Sequence, residues 1–411
     1  MSARAMEIVF WASALALAHS YVFYGAILLI CAGLRQTWRD LRFILQRRDR
    51  RRRGHHPSEP PRIAMLVAAY NEAGVIAAKL HNTAELDYPR EKFEFLLGLD
   101  CPSDATAAIA RADSASGVTV YEFTERRGKL AVVRDLASKT QADILFFSDA
   151  NTLLAPDCLR RIARHFENPR VGAVCGELRV VSPDGKKEME SAYWRYEVAL
   201  KFLENRMNCV LGANGAIYAV RRELFDLKRE WIVEDFQLPM EIRYSGHRVV
   251  YDPEAIGTEE SAPDFAAEFR RKVRIGAGAY QTLFGNLRFL NPLRGFLFFA
   301  YFSHKVLRWA GPFLMLAAVL TSAALMLSGS RVYTLAFLLQ AIFYLLAYAG
   351  HLQRTSSHPS PLFSIPQYFV GMNFALFLGF FRYLSGGQKA VWQATPRPQV
   401  SVATSAHGEK H

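Results

Sequence analysis

Cysteine is scarce in this chain: Cys31, Cys101, Cys158, Cys175 and Cys209 are all it has in 411 residues. No two form a Cys-x-x-Cys pair, and no Cys or His set has zinc spacing, which points to free thiols in a reducing compartment. Two phosphate-binding signatures are missing as well. No Gly-x-Gly-x-x-Gly follows the first strand-like run, which removes the dinucleotide fingerprint, and no Gly-x4-Gly-Lys-Ser/Thr loop occurs. Residues 8–34, IVFWASALALAHSYVFYGAILLICAGL, contain no Lys, Arg, Asp or Glu. About 20 apolar residues cross a bilayer, so this stretch is long enough to span one. It is too long for the roughly 7–15-residue apolar centre of a signal peptide.

What is present is basic and apolar together. The formal net charge is +12, with 51% hydrophobic and 21% charged residues. That balance suits a soluble domain joined to membrane segments. Arg35, Arg39, Arg42, Arg47, Arg48 and Arg50–Arg53 crowd one side of the first span. Basic residues beside a span stay in the cytoplasm, which places the N-terminus outside and the next domain inside. Their juxtamembrane position favours anionic lipid head groups over RNA, and no nucleic-acid partner is expected. Apolar stretches return at 306–328, 332–353 and 366–385.

These features divide the chain. Residues 1–35 read as an N-terminal transmembrane helix, and 36–61 as a basic segment ending in the Pro-rich linker HHPSEPPR. Residues 62–285 read as a cytoplasmic domain, 286–305 as interfacial helices, 306–390 as a C-terminal transmembrane region and 391–411 as a flexible tail. The expected location is the cell membrane, multi-pass.

Between the spans, RIAMLVAAY, FEFLLGLD, VTVYEF and DILFFSD are strand-like, and they alternate with helical runs such as EAGVIAAKLHNTAEL and GKLAVVRDLAS. Strands apolar on both faces, alternating with helices, imply an α/β domain with a mostly parallel sheet. Ligands of such sheets bind beyond the carboxyl ends of the strands. Three of those ends carry polar groups: Tyr70-Asn71-Glu72, Asp100, and Asp149 with Asn151. Any one of them could be turn chemistry. Together they make an acidic rim for a nucleotide base, a ribose and a divalent cation, Mg2+ or Mn2+, bridging phosphates.

Further along, Asn214 and Gly215 lie in the Gly-rich turn LGANGAIYAVRREL, where backbone can approach a ligand closely. Glu234 and Asp235 open a helix; the helix dipole favours acids there, and a general base is the functional alternative. Arg271 and Arg274, three apart in EFRRKVRIGAGAYQTL, share a helix face. They form either a solvated basic helix or a clamp on a leaving diphosphate. Lys129 in RRGKL could add a further positive charge.

The ordered set AAYNE (68–72), Asp100, SDAN (148–151), GANGAIYA (212–219), VED (233–235) and RKVRI (271–275) resembles the family 2 glycosyltransferases with a GT-A fold, of the membrane-embedded polysaccharide synthase kind. The resemblance covers roughly residues 60–285. It implies that Tyr70, Asn71 and Glu72 hold base and ribose and that Asp100 reads uracil. Asp149 and Asn151 would bind metal and diphosphate, Asn214, Gly215 and Glu234 would face donor or acceptor sugar, and Arg271 and Arg274 would sit on pyrophosphate. Asp235 would be the base of an inverting displacement, moving sugar from a UDP-sugar to a lipid or glycan hydroxyl. Two positions depart from the pattern: Asp-Ala-Asn replaces Asp-x-Asp, and Ile275 stands where processive synthases carry Trp.

Other functions fit less well. A processive synthase that translocates its product is the neighbouring alternative. A haloacid-dehalogenase-like phosphatase needs Asp-x-Asp-x-Thr, and Asn151 and Leu153 remove its general acid and its Thr. A scaffold or transport subunit is disfavoured by few spans, no charge buried in them and a large α/β domain.

Overall fold

The computed structural model describes residues 2–46, 59–113, 117–181, 190–226, 231–260, 265–353 and 360–387. The arginines at 47, 48 and 50–53, most of the Pro-rich linker and the 391–411 tail lie outside them.

The chain begins with α1 (Ala3–Ala18), which passes through a π-helical turn, His19–Phe23, into α2 (Tyr24–Gln46). The α/β part then alternates β1 (Ile63–Ala69), α3 (Ile76–Ala84), β2 (Phe93–Asp100), α4 (Thr106–Ala112), β3 (Val118–Phe123), α5 (Lys129–Ser138) and β4 (Ile144–Ser148). After β5 (Leu153–Leu154) and α6 (Cys158–Ala163) come β6 (Val171–Val181), α7 (Glu190–Met207), β7 (Ile217–Arg221), α8 (Glu234–Tyr244) and β8 (Arg248–Glu260). All four strand-like runs of the sequence are strands.

They join one sheet in the order β3-β2-β1-β4-β7-β6-β8-β5. Strands β3, β2, β1 and β4 run parallel; β7 is antiparallel to both β4 and β6, and β6 is parallel to β8. The period-two pleat sorts β1 between two cores. Ile63, Met65, Val67 and Ala69 pack with Ile76 and Leu80 of α3, while Ala64, Leu66 and Ala68 pack with Val132, Val133 and Leu136 of α5. Helices on both faces are what a central strand buried on both sides requires. The sheet therefore presents the ends of β1, β2 and β4 along one edge.

A third core joins this domain to long helices. It gathers Tyr24, Leu200, Met240, Tyr280, Phe289, Leu297, Tyr301 and Trp309. Helix α9 (Phe265–Gly285) leaves the sheet, and α10 (Phe296–Ala300) continues through a second π-helical turn, Tyr301–Val306, into α11 (Leu307–Leu327). Helices α12 (Arg331–Leu352) and α13 (Pro361–Leu384) follow. Rings bind α9 to α13, with Tyr280 5.1 Å from Phe380 and Phe284 5.7 Å from Tyr383.

Among the described residues, four helical stretches are long and apolar enough to cross a membrane: Ala3–Leu45, Phe296–Leu327, Arg331–Leu352 and Pro361–Leu384. Residues 296–305, read from the sequence as interfacial, are continuous with α11. The expectation of spans without buried charge is overturned by Arg308 of α11, which is only 6% exposed. Its apolar neighbours in sequence hide it from a hydropathy reading, and Glu197 of α7, far off in sequence, supplies its counter-charge.

Candidate active site

The site is built around Lys129. The chain reaches it by a sharp turn at Gly128, whose φ of +87° is one that L side chains rarely adopt. Asp100, at the end of β2, holds that turn: its Oδ1 accepts the Arg127 amide at 2.7 Å and its Oδ2 the Gly128 amide at 2.9 Å. Asp100 is almost fully buried, and its two oxygens fix the head of α5 rather than point outward. Lys129, the first residue of α5, then reaches across the edge of the sheet. Its Nζ donates to Asp149 Oδ1 at 2.6 Å and lies 3.6 Å from Glu234 Oε1. One ammonium thus ties the end of β4 to the start of α8.

The neighbouring carboxylate is held as tightly. Asp235 Oδ2 accepts the Gly215 amide at 3.0 Å, and the Asp235 carbonyl accepts the Ala213 amide at 2.8 Å. A Cβ at Gly215 would lie 3.1 Å from that same Oδ2, so a side chain there would press on the carboxylate. Asn214 is fixed from two sides: Lys201 of α7 donates to its Oδ1 at 2.8 Å, and its Nδ2 donates to the Gly176 carbonyl at 3.2 Å.

Charge and burial oppose one another here. Burial raises the pKa of Glu234; Lys129 pulls it down, Asp235 pushes it up, and the net is upward. Burial lowers Lys129, but Asp149 and Glu234 outweigh it and hold the ammonium above its ordinary range. The result is a charged lysine between carboxylates, of which Asp149 is the more exposed.

Other sequence candidates lie around this centre. Tyr70 has its ring face covered by the Arg126 guanidinium, 3.8 Å from the ring centroid. Asn71, at φ +54°, bridges the loops after β1 and β2; its Oδ1 accepts the Ser103 amide at 2.8 Å. Glu72 uses its backbone amide on Thr106 Oγ1 at 2.8 Å and starts the turn into α3. Arg274 reaches the Ile232 carbonyl at 3.5 Å, just ahead of Glu234, whereas Arg271 pairs with Glu268 at 3.5 Å, one turn further out. The structure thus gathers Lys129, Asp149, Asn214, Gly215, Glu234 and Asp235 closely. Asp100 and Arg274 act on that group through backbone.

Sequence reading missed a lysine beneath the site. Lys79 of α3 is wholly buried and donates to Ser148 Oγ at 2.8 Å and to the Thr152 carbonyl at 2.7 Å. One turn on, Asn82 bonds both backbone groups of Leu154 at 2.8 Å. Together they clamp the loop that carries Asp149 and Asn151. The signal was present, since Lys79 falls on the same helix face as Ile76, Leu80 and Thr83. Arg126 was also passed over, although it directly precedes the RGKL run.

Asp149 and Asn151 offer a carboxylate and an amide oxygen, which are hard donors suited to Mg2+ or Mn2+. Lys129 takes one oxygen of Asp149 and leaves the other. Among the described residues no cluster of three or more His, Cys, Asp or Glu side chains could hold a metal ion. A cation held by this pair would have to take its remaining ligands from bound substrate and water.

Known proteins resemble this chain in sequence and in fold. Residues 65–226 match the model for glycosyl transferase family 2. A beta-monoglucosyldiacylglycerol synthase from Trichormus variabilis is 26% identical over 233 residues, 54% of this chain. The match takes in about half of that relative's length, 49%. An N-acetylglucosaminyltransferase from Sinorhizobium fredii is 23% identical over 64% of this chain and 68% of its own. Among solved structures, the mannosyltransferase PcManGT from Pyrobaculum calidifontis, in complex with GDP-Man and Mn2+, superposes with a TM-score of 0.64. That superposition covers 92% of this chain and 99% of the other, at 22% identity, and gives this chain the GT-A fold with its flanking helices.

Proposed function

Residues 65–226 match the glycosyltransferase family 2 model, and from that premise we propose that the chain is a glycosyltransferase of this family that moves a sugar from a nucleoside diphosphate sugar, a UDP-sugar, to a hydroxyl of a lipid or glycan acceptor. The observation that carries this reading is the single ammonium of Lys129 set between Asp149 and Glu234, with Asp235 beside it. A leaving diphosphate needs fixed positive charge, and an attacking hydroxyl needs a base; here both stand at one sheet edge.

In the proposed displacement Asp235 takes the proton of the acceptor hydroxyl. That oxygen forms its bond to the anomeric carbon as the bond to the diphosphate breaks on the opposite face. The electron pair leaves with the nucleoside diphosphate and the anomeric configuration inverts. Lys129 steadies the departing charge, with Arg274 and Arg271 behind it on α9. A divalent cation, when bound, supplies further neutralisation of the diphosphate, and Asp149 and Asn151 are the residues that would hold it. Tyr70 and Glu72 receive base and ribose, Tyr70 doing so with Arg126 on its ring. Asp100 keeps the Arg127–Gly128 turn in place so that Lys129 points inward.

Two features bear on the acceptor. The catalytic edge adjoins helices able to span a bilayer, which supports a membrane-borne acceptor and a catalytic domain on the cytoplasmic face, where the arginines after the first span would hold it. Ile275, in place of Trp, supports transfer of one sugar rather than processive synthesis. The test is a transfer screen of detergent-purified protein against UDP- and GDP-sugars with lipid extract as acceptor. In the active combination Asp235→Asn lowers turnover at least about a hundredfold while nucleotide binding, followed by calorimetry, stays intact. Near-normal turnover in that variant removes Asp235 from the mechanism.

A further inference from the structure

A second polar site lies where the long helices meet α7, and no step above uses it. Its centre is Arg308, of which Nη1 is committed: it pairs with Glu197 Oε1 and donates to the Tyr193 hydroxyl at 3.2 Å. The Nε and Nη2 atoms are equally buried and have no hydrogen-bond partner among the described residues. These two nitrogens form one edge of the planar guanidinium, with parallel N–H bonds that match two oxygens of a single oxyanion. Three tyrosine rings hold the guanidinium in place, with centroids 5.2 Å (Tyr21), 5.5 Å (Tyr196) and 6.0 Å (Tyr193) from Cζ.

An acceptor group is idle in the same place. Asn373 of α13 is 3% exposed; its Nδ2 donates to the Phe369 carbonyl at 2.9 Å and lies 3.5 Å from the Tyr21 hydroxyl. Its Oδ1 has no partner among the described residues. Gly311, three residues after Arg308, brings backbone without a side chain up to that oxygen. Buried donors and acceptors left unmade cost about 1–3 kcal/mol each, and charged ones more. A site retaining several of them is organised for something else.

Its position says what. Arg308, Asn373 and Tyr21 belong to three different stretches long enough to cross a membrane. On the other side, Tyr193, Glu197 and Lys201 follow one another at i, i+4 and i+8, a single stripe about 12 Å long on α7. The stripe runs from Arg308 to Asn214, whose neighbour Gly215 holds Asp235. Trp309, next to Arg308, meets Phe236, next to Asp235, with ring centroids 5.7 Å apart.

We propose that the buried polar site at Arg308 and Asn373 binds the phosphate of a membrane lipid, and, resting on the glycosyltransferase reading, that this lipid is the acceptor whose hydroxyl extends along α7 toward Asp235. The lipid's phosphate oxygens take Nε and Nη2, a phosphate or head-group hydroxyl donates to Asn373 Oδ1, and the chains lie among α1, α11 and α13. The phosphate anchors; the hydroxyl is the nucleophile.

The test uses the full chain in dodecylmaltoside and reads binding without turnover. Radiolabelled dioleoyl phosphatidic acid competes with dioleoylglycerol and with inorganic phosphate. The expected result is at least tenfold tighter binding of the lipid phosphate than of either competitor. In Arg308→Lys, which keeps the charge opposite Glu197 but loses the fork, that preference falls at least tenfold while UDP affinity is unchanged. Asn373→Leu lowers it as well and serves if Arg308→Lys does not fold. Equal binding of dioleoylglycerol, equal binding of inorganic phosphate, or a preference that survives in both variants overturns the proposed site. A screen without any sugar transfer overturns the enzyme reading instead and leaves these binding results as they stand.

Discussion

Lys79 gives the sharpest physical test of the site. It is wholly buried under the loop carrying Asp149 and Asn151, and burial pushes its pKa from an ordinary 10.5 down to about 7, against the upward pull of Asp149. The folded protein then binds fewer protons than the unfolded chain between pH 7 and 10.5. Stability therefore rises with pH across that window, and the penalty is largest below it, where both states are protonated. At about 1.4 kcal/mol per pH unit the full penalty is about 5 kcal/mol, of which about 2 kcal/mol is relieved between pH 7 and 9. Replacing the lysine by an apolar isostere, Lys79→Met, removes this dependence. It also leaves Ser148 and the Thr152 carbonyl without their donor, at about 1–3 kcal/mol each, so the two proteins have similar stability at pH 7. The assay is thermal unfolding in detergent, followed by tryptophan fluorescence at pH 7 and pH 9. Wild type gains about 2 °C more than Lys79→Met over that interval. Parallel shifts in the two proteins would refute a titrating Lys79 and the account of burial behind it.

The remaining predictions concern the same edge of the sheet and the domain behind it. Lys129→Met lowers kcat/KM about a hundredfold or more in initial-rate assays. Because Lys129 is the main group pulling Glu234 down, any acid limb due to Glu234 moves to higher pH in the same variant. Gly215→Ala pushes a Cβ toward Asp235 Oδ2 and lowers kcat about tenfold, while circular dichroism shows an unchanged fold. Asp252 is nearly inaccessible; burial works against its charge, yet His165, the Glu254 amide and Arg164 hold its pKa near 2. Asp252→Asn therefore costs about 2 kcal/mol at neutral pH, read as a lowered Tm. Wild type loses that same contribution as pH falls from about 4 toward 2, because the folded-state pKa is the depressed one.

The readable parts of this molecule are those governed by neighbours in sequence. Strand β4 could be placed because Ile144–Phe147 is an apolar run, and its end could be placed because Asp149 and Asn151 interrupt it. The acid pair at Glu234 and Asp235 stood out for the same local reason, since carboxylates at a helix start are favoured by its dipole. Asp100 was legible as an acid at a strand end, but not as the acceptor of two backbone amides 27 and 28 residues further on. Arg271 and Arg274 share a face by spacing alone. That Arg274 meets the Ile232 carbonyl while Arg271 pairs with Glu268 depends on where α9 crosses the start of α8.

By itself, then, the sequence determined the alternation of strands and helices, the stretches able to cross a bilayer and the residue types collected at the strand ends. These follow from periodicity and from the run length of apolar side chains, which are properties of contiguous residues. Tertiary structure decided which charges meet. Lys129 finds Asp149 and Glu234 only because α5, β4 and α8 converge on one sheet edge, and Arg308 finds Glu197 only because the fold brings the start of α11 within side-chain reach of α7. Coulomb attraction and burial act through space, so the partner of a charge is set by the fold and not by its position in the chain.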